Sequence, residues 1–390
     1  HRYSDWVQVQ PPRSAPVRFG SLGSPGAWLD WRTFINQNFA DFVAWQRQII
    51  REVDEDHPVT TNLVRTTDVV FGVDPWLYPD TVDALGYDLY PRDRGQGAPY
   101  FVSLSLDYAR SPALHAGKPF WLPEIESGPI GDWVLGPSHP TSGSDIRRYN
   151  LEALGHGAKM ILYQGYREWD ALPMHWGALV DLEGEPTERY YAAQQINQMV
   201  ADFEDLFLEA EPVRAQIAVL WDQANANVAY GMAADEFLMN AVRGVYRRFW
   251  SQGYAVEFVT PGLLDRPSAE PYRLLLMPFM MLMKAETAEL LASFVSDGGT
   301  LISFAKCAML DGRSWYWHER PGAGLSDLLG VRERLIRQVD SVMLFPDSDA
   351  ELFEGVDGPL PGHWHRQDFA IDNDVRILVR YEQCQPVATA

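Results

Sequence analysis

Phe120-Trp-Leu-Pro-Glu-Ile-Glu-Ser-Gly-Pro129 is the stretch that decides how this chain is read. Its aromatic, apolar start reads as a buried strand, and the Gly-Pro pair that follows forces a turn. The carboxyl of Glu124 therefore stands at a strand end. Glu126 is the obvious rival, two residues further on. Side chains two apart on a strand point the same way, so parity does not separate them. Position does, because Glu126 falls beyond the strand, in the loop.

Similar runs lie on either side. Pro58-Val-Thr-Thr-Asn-Leu63 and Ala84-Leu-Gly-Tyr-Asp-Leu-Tyr90 read as strands before it, and Ala158-Lys-Met-Ile-Leu-Tyr-Gln164 as one after it. Residues 102–111 and 145–157 are helix-like, and Gly155 and Gly157 stop the second of them. Alternating strand and helix implies parallel strands joined by crossover helices. Four strands cannot close a barrel, so the segment is an open sheet or half of a (β/α)8 barrel. Polar residues sit at the end of every strand: Asn62, Asp88 and Tyr90, Glu124, then Tyr166, Arg167 and Glu168. A barrel builds its active site from the ends of several strands, whereas an open sheet uses one switch point. That favours the barrel.

Further upstream, Asp30 is a plausible N-cap for a helix carrying Trp31, Phe34, Ile35, Phe39, Phe42 and Val43 at three- and four-residue spacing. Downstream, a helix over 188–206 ends the region, and an acidic joint with few contacts follows at Glu204, Asp205, Glu209 and Glu211. A second αβ pattern then runs from Gln216, with strands at 216–221, 255–259, 273–277 and 300–304 and helices at 234–251 and 286–295. Beyond about Val331 the chain is strand-rich. The expected division is residues 1–208, a partial catalytic barrel, and residues 209–390, an α/β domain with a strand-rich end.

Composition narrows the function. Lys plus Arg number 32 against 53 Asp plus Glu, a net charge of −21. Such a surface repels phosphate backbones and anionic membranes, so neither nucleic acid nor membrane is an expected partner. No apolar run reaches the length of a membrane span. Cys307 and Cys384 are too few for a disulfide framework or a zinc site and read as thiols of a reducing, cytoplasmic compartment. No glycine-rich phosphate loop and no His/Cys cluster of metal-ligand spacing is present. Cys307 follows a strand but lacks a glycine-flanked elbow, so it is not a nucleophile. Neither metal nor cofactor is expected.

What remains is carboxylate chemistry. Retaining glycosidases use two carboxyls about 5–5.5 Å apart, one to attack the anomeric carbon and one to protonate the leaving oxygen and later deprotonate water. Glu124 has the position of the attacking group. The chain also holds 14 Trp and 17 Tyr, several near strand ends, including Tyr90, Trp133, Tyr166, Trp169 and Trp176. Such rings pack against the C–H faces of sugars. Trp121 and Tyr163 read as core packing instead. His175, in Pro173-Met-His-Trp-Gly177, could donate to a sugar hydroxyl.

In order and spacing, Arg2-Tyr-Ser-Asp-Trp6 with Pro11-Pro-Arg13, Leu29-Asp-Trp-Arg-Thr-Phe34, Val59-Thr-Thr-Asn62, Asp88-Leu-Tyr-Pro91, Phe120-Trp-Leu-Pro-Glu124, Gly157-Ala-Lys159 and His175 resemble glycoside hydrolase family 42. The resemblance covers nearly the whole chain. It implies a β-galactosidase that retains configuration and needs no cofactor. The implied fold is α/β: the C-terminal half of a (β/α)8 TIM barrel, strands five to eight, followed by an open parallel, amidotransferase-like domain that forms homotrimers. It makes Glu124 the nucleophile and gives Tyr90, Trp133 and His175 to the sugar pocket. The family's glutamate three residues before the histidine is replaced here by Leu172, with Glu168 or Asp170 as substitutes. α-L-Arabinopyranosides are therefore the alternative substrates. The chain opens at His1 and closes at Ala390 without the marks of natural ends, so the first barrel strands, the acid/base glutamate and a C-terminal β-domain are expected outside it. The isolated chain is then expected to be inactive, and a non-catalytic sugar-binding or assembly module is the reading from another class.

Overall fold

The structure, a computed structural model, describes residues 4–12, 25–64, 68–91, 98–132, 140–171, 174–266, 272–347, 351–356, 358–381 and 386–389. Helix α1 (Pro25–Arg51) begins ahead of Asp30, with Pro25 in the first turn, where a missing N–H breaks no bond. Strand β1 (Asn62–Val64) is shorter than the sequence suggests and starts at Asn62. Strand β2 (Leu85–Leu89), helix α2 (Pro99–Ala116), strand β3 (Phe120–Ile125), the short β4 (Ile130–Asp132), helix α3 (Gly143–Gly155) and strand β5 (Ala158–Tyr163) follow. A full capping box starts α3, with Ser142 and Asp145 bonding each other's backbone N–H. Strands β6 (Trp169–Ala171) and β7 (Met174–Trp176) join β4 in a small antiparallel ribbon, ordered β4-β7-β6.

The main sheet of this half is β1-β2-β3-β5, parallel throughout. Each new strand adds to the same edge, so the winding never reverses. That is the progression of a β/α barrel, and it bears out the barrel reading of the strand ends.

Helices α4 (Glu188–Asp202) and α5 (Glu204–Glu209) lead to the second half, with a break at Phe203 where the sequence suggests one helix. The acidic joint is not contact-poor. Lys159 Nζ on β5 donates to the carbonyls of Phe207 (3.1 Å), Leu208 (3.0 Å) and Ala210 (2.6 Å) and lies 3.2 Å from the Glu211 carboxylate. A lysine at a helix C-terminus satisfies carbonyls that have no partner within the helix.

Strand β8 (Ile217–Leu220), helices α6 (Gln223–Gly231) and α7 (Asp235–Trp250), strands β9 (Val256–Val259) and β10 (Leu274–Met277), helix α8 (Ala285–Ser296) and strand β11 (Thr300–Ser303) form the second domain. Its parallel order is β11-β10-β8-β9. The winding reverses at β8, so this sheet is open and doubly wound. Cys307, after β11, is buried, and burial pushes its thiol up to about 11, in keeping with an inert side chain. Helix α9 (Leu325–Leu329) leads into an antiparallel sheet of β12 (Val331–Pro346), β13 (Leu360–Ile371), β14 (Ile377–Tyr381) and β15 (Pro386–Thr389), the strand-rich end.

Helix α2 belongs to both halves. Val102, Leu106, Ala109 and Ala113 pack into the core around β2 and β3. Leu104 and Tyr108 pack into the core around β8 and β9. The Tyr108 ring meets Trp221 and Phe258 edge-on, at 5.1 and 5.2 Å between centroids. A buried polar seam runs alongside. Asp107 accepts from Arg110 Nε (2.9 Å) and from the Tyr246 hydroxyl (2.6 Å), and the Phe258 amide donates to Ser111 Oγ (3.0 Å). Glu257, completely buried on β9, accepts from the Ala215 amide (3.0 Å), the Tyr272 hydroxyl (2.7 Å) and Arg214 Nε (3.1 Å), with Arg110 Nη2 at 3.7 Å.

Asp74 and Asp222 lie where α1 and α6 pack together. Asp74 accepts from the Trp76 amide (3.1 Å), and Asp222 caps α6 through the Ala224 amide (2.8 Å). Burial first, and the Asp222 charge second, push the Asp74 carboxyl up to about 6. An unfolded aspartate titrates near ~3.9, so the folded state binds the extra proton between these values. Stability from this group is fully present below the lower value and is lost as pH rises through about 6. Asp74→Asn is expected to flatten that slope, read as urea midpoints against pH. Parallel curves for both proteins would refute it.

Candidate active site

Three neighbouring strands bring four polar side chains together. Asp88 and Glu124 are direct partners across β2 and β3. Asn62 Nδ2 donates to Asp88 Oδ1 (2.9 Å) and to Glu124 Oε2 (3.3 Å). The Tyr90 hydroxyl donates to Glu124 Oε1. Among the described residues, each Glu124 oxygen thus has one donor. Close backbone approach makes this possible: a Cβ on Gly86 would lie 2.4 Å from the Thr61 carbonyl oxygen, so only glycine lets β1 and β2 sit this near.

Environment separates the charges. Asp88 is 8% exposed, and burial, helped by the Glu124 charge, pushes its carboxyl up to about 7. Burial, then the bond and charge of Glu124, drive Tyr90 far above the ordinary phenol value, so it remains a donor. Glu126 has no exposed surface and accepts from the Thr141 hydroxyl, while its amide donates to the Leu89 carbonyl (2.9 Å). It lies just past β3, as its place in the sequence suggests.

His175 occupies the middle of β7, between Gly131 on β4 and Asp170 on β6. Its Nε2 lies 3.8 Å from Glu168 Oε2, while Glu168 Oε1 accepts from Arg189 Nη2 at 2.6 Å. Arg189 is fixed in turn on the Ala178 carbonyl (2.8 Å). Glu168 is therefore held between a guanidinium and an imidazole. The Gly128-Pro129 turn links this ribbon to the end of β3: the Gly177 amide donates to the Pro129 carbonyl at 2.7 Å, and a Cβ on Gly177 would meet Pro129 at 2.3 Å. Trp169 and Trp176 stack in parallel, 5.7 Å apart and 6° between planes. Strand alternation puts this pair on the opposite face of the ribbon from Glu168 and His175. Tyr163 packs against the core with its hydroxyl on Asn150 (3.2 Å).

The structure thus joins Tyr90 to Glu124 and ties the ribbon of His175 to the same strand end. Trp133 and Leu172 lie outside the described residues, as does the Asp170 side chain. Asn62 and Asp88 drew notice in the sequence as strand-end residues without a role. Nothing in the sequence marked Arg189 or Thr141, whose partners are distant in the chain.

A parallel sheet wound in one direction, with carboxyls gathered where its strands end, is the arrangement of a β/α-barrel fold. Comparison with known families agrees. The sequence model of glycoside hydrolase family 42, described as β-galactosidase, matches residues 1–203, and the β-galactosidase trimerisation domain matches residues 215–349. The chain belongs to glycoside hydrolase family 42. It is 28% identical over 317 residues to β-galactosidase GanA of Bacillus subtilis, covering 77% of this chain and 45% of that protein. It is 25% identical over 403 residues to β-galactosidase BglY of Alicyclobacillus acidocaldarius, covering 100% and 54%. The chain therefore spans about half the length of the curated relatives it matches. Among solved structures, the β-galactosidase from Rahnella sp. R3 superposes with a TM-score of 0.82 at 22% identity, over 99% of this chain and 57% of that one. The β-galactosidase from Bacillus circulans sp. alkalophilus gives 0.83 at 18% identity, over 100% and 57%. These likenesses establish the fold.

Proposed function

We propose that the whole protein hydrolyses terminal non-reducing β-D-galactosyl residues with retention of configuration, through Glu124 as nucleophile. The observation that carries this is the Glu124 carboxylate at a strand end, with Tyr90 donating to one oxygen and Asn62 to the other. The two donors aim the carboxylate at an anomeric carbon. Attack forms a glycosyl ester and breaks the glycosidic bond; water then breaks the ester and regenerates the carboxylate. Both donors stabilise that carboxylate as it leaves. Tyr90 and His175 would line the galactosyl site, and the family resemblance adds Trp133 to it. Glu168 orients His175, because both its oxygens already face Arg189 and His175. No acid/base partner is assigned within this chain, since Glu126 is buried on Thr141 and Glu168 is engaged. The chemistry requires no cofactor. Homotrimer formation is supported by the trimerisation-domain match, and a reducing, cytoplasmic setting by Cys307, buried and free among the described residues.

The test is to treat the full-length protein with a 2-deoxy-2-fluoro-galactosyl inactivator and map the labelled peptide by mass spectrometry. A stable adduct on Glu124 is expected. An adduct elsewhere, or none, would overturn the assignment. Glu168→Gln in the same protein is expected to raise KM for a β-galactoside by about 10-fold, the effect of removing the carboxylate that lies 3.8 Å from the His175 ring and positions it, with a smaller change in kcat. An unchanged KM would remove His175 from the sugar site.

A further inference from the structure

The least explained group near Glu124 is a second carboxyl. Asp88 faces Glu124 across the sheet, and the two share one amide, that of Asn62. Among the described residues no cation pairs with either carboxyl. Among the described residues, the titratable groups that act on Asp88 are Glu124 on β3 and Tyr90 just beyond β2, and Tyr90 in turn feels the buried Glu126. Two full negative charges on one amide, one of them on a nearly buried carboxyl, repel, and a shared proton is the usual resolution.

We propose that Asp88 is a positioning residue for Glu124: it fixes the Asn62 amide and keeps a proton in the resting site. The inference rests on Glu124 being the nucleophile. An Asn side chain can present either its N–H groups or its carbonyl to a neighbour. By accepting one N–H, Asp88 Oδ1 turns the –NH2 end inward, so that the other N–H meets Glu124 Oε2. Were the amide reversed, its carbonyl oxygen would repel the carboxylate it now stabilises. A proton on Asp88 Oδ2 leaves Oδ1 free to accept, so the amide stays fixed while the second charge disappears. Burial of Asp88 favours the same state.

The consequence has a definite sign. When the glycosyl ester breaks, Glu124 must leave as a carboxylate. A neutral Asp88 imposes no repulsion on that charge, whereas an ionised Asp88 does. Release of the intermediate should therefore slow as Asp88 loses its proton.

The experiment uses the full-length protein trapped as the 2-fluoro-galactosyl adduct, with the rate of reactivation followed across neutral pH. The unsubstituted protein is expected to lose reactivation rate as pH rises through about 7. Asp88→Asn keeps an acceptor for Asn62 but cannot ionise, and is expected to lack that decline. Asn62→Ala is expected to slow reactivation at every pH by about 100-fold, as when one preorganised donor to a developing charge is removed. Parallel pH curves for the unsubstituted and Asp88→Asn proteins would overturn the proton on Asp88. A normal rate in Asn62→Ala would overturn the positioning. The infrared band of a protonated carboxyl, titrated in the unsubstituted protein, reads the Asp88 proton without turnover. It should be present below neutral pH, vanish above it, and be missing in Asp88→Asn; its absence at all pH also overturns the proposal. If the adduct forms on a residue other than Glu124, the functional reading fails, and the infrared result still reports on Asp88.

Discussion

Glu124→Ala in the full-length protein is expected to lower kcat for a β-galactoside by about 10⁴-fold or more, the scale seen when a nucleophile is removed from a covalent mechanism. KM should change far less, because Tyr90 and His175 remain to hold the sugar. The cause is specific. Without the carboxylate no ester forms, and the reaction loses the two-step route. The cavity left by the side chain is flanked by the Tyr90 hydroxyl and the Asn62 amide, two donors suited to an anion. Azide supplied at high concentration should enter there, attack the anomeric carbon directly and give the α-galactosyl azide with inversion. Rate recovery with azide and an α-product would fix Glu124 as nucleophile. Recovery as a β-product would mark the lost residue as the acid/base instead. Residual activity within tenfold of the starting protein would remove it from the chemistry.

Glu257→Leu is expected to destabilise the fold by about 3–5 kcal/mol, the usual cost of removing one partner from a buried ion pair. Glu257 has no exposed surface and receives Arg214, Tyr272 and the Ala215 amide, with Arg110 alongside. Arg214 is part-exposed and can turn to water, but the Arg110 side chain is only 6% exposed and cannot. Arg110 keeps Asp107, so the net charge of the seam, rather than one bond, is what the substitution upsets. Adding Arg110→Met together with Asp107→Asn should recover part of the loss, since apolar or neutral replacement of a whole buried ionic group is often near neutral, whereas Arg110→Met alone would leave Asp107 without its guanidinium. Urea denaturation read by tryptophan fluorescence measures both. A loss of less than about 1 kcal/mol for Glu257→Leu, or no recovery in the combined variant, would show that the seam contributes little.

The longer strands and helices were legible because their apolar residues recur at a clear period. The alternation around Glu124 located β2, β3 and β5 to within a residue or two. The ribbon of β4, β6 and β7 was not legible, since three-residue strands carry no period; they are set by Gly128, Pro129 and Gly177 meeting across the fold. Helix α6 was missed for another reason. Gln223, Asn225 and Asn227 are buried in it, so it has no apolar face to detect. Helix α2 reads as ending near Ser111 but runs through Pro112 to Ala116, because cores on both sides hold it helical despite the lost N–H. At the site, Glu124, Tyr90 and His175 could be picked by residue type and position. The Asn62 bridge and the Arg189–Glu168 clamp could not, because each joins residues from separate elements.

Because α2 contributes one face to each hydrophobic core, the two halves cannot be exchanged as independent parts. A chimera spliced at the joint near residue 210 would place a foreign helix against β9, and Leu104, Tyr108, Asp107 and Ser111 would lose their counterparts together. Recombination among relatives would therefore preserve the pairing of this helix with its β9, and variation in one should be answered by variation in the other. Redesign of the catalytic half must keep the outer face of α2 as found, or rebuild both surfaces at once.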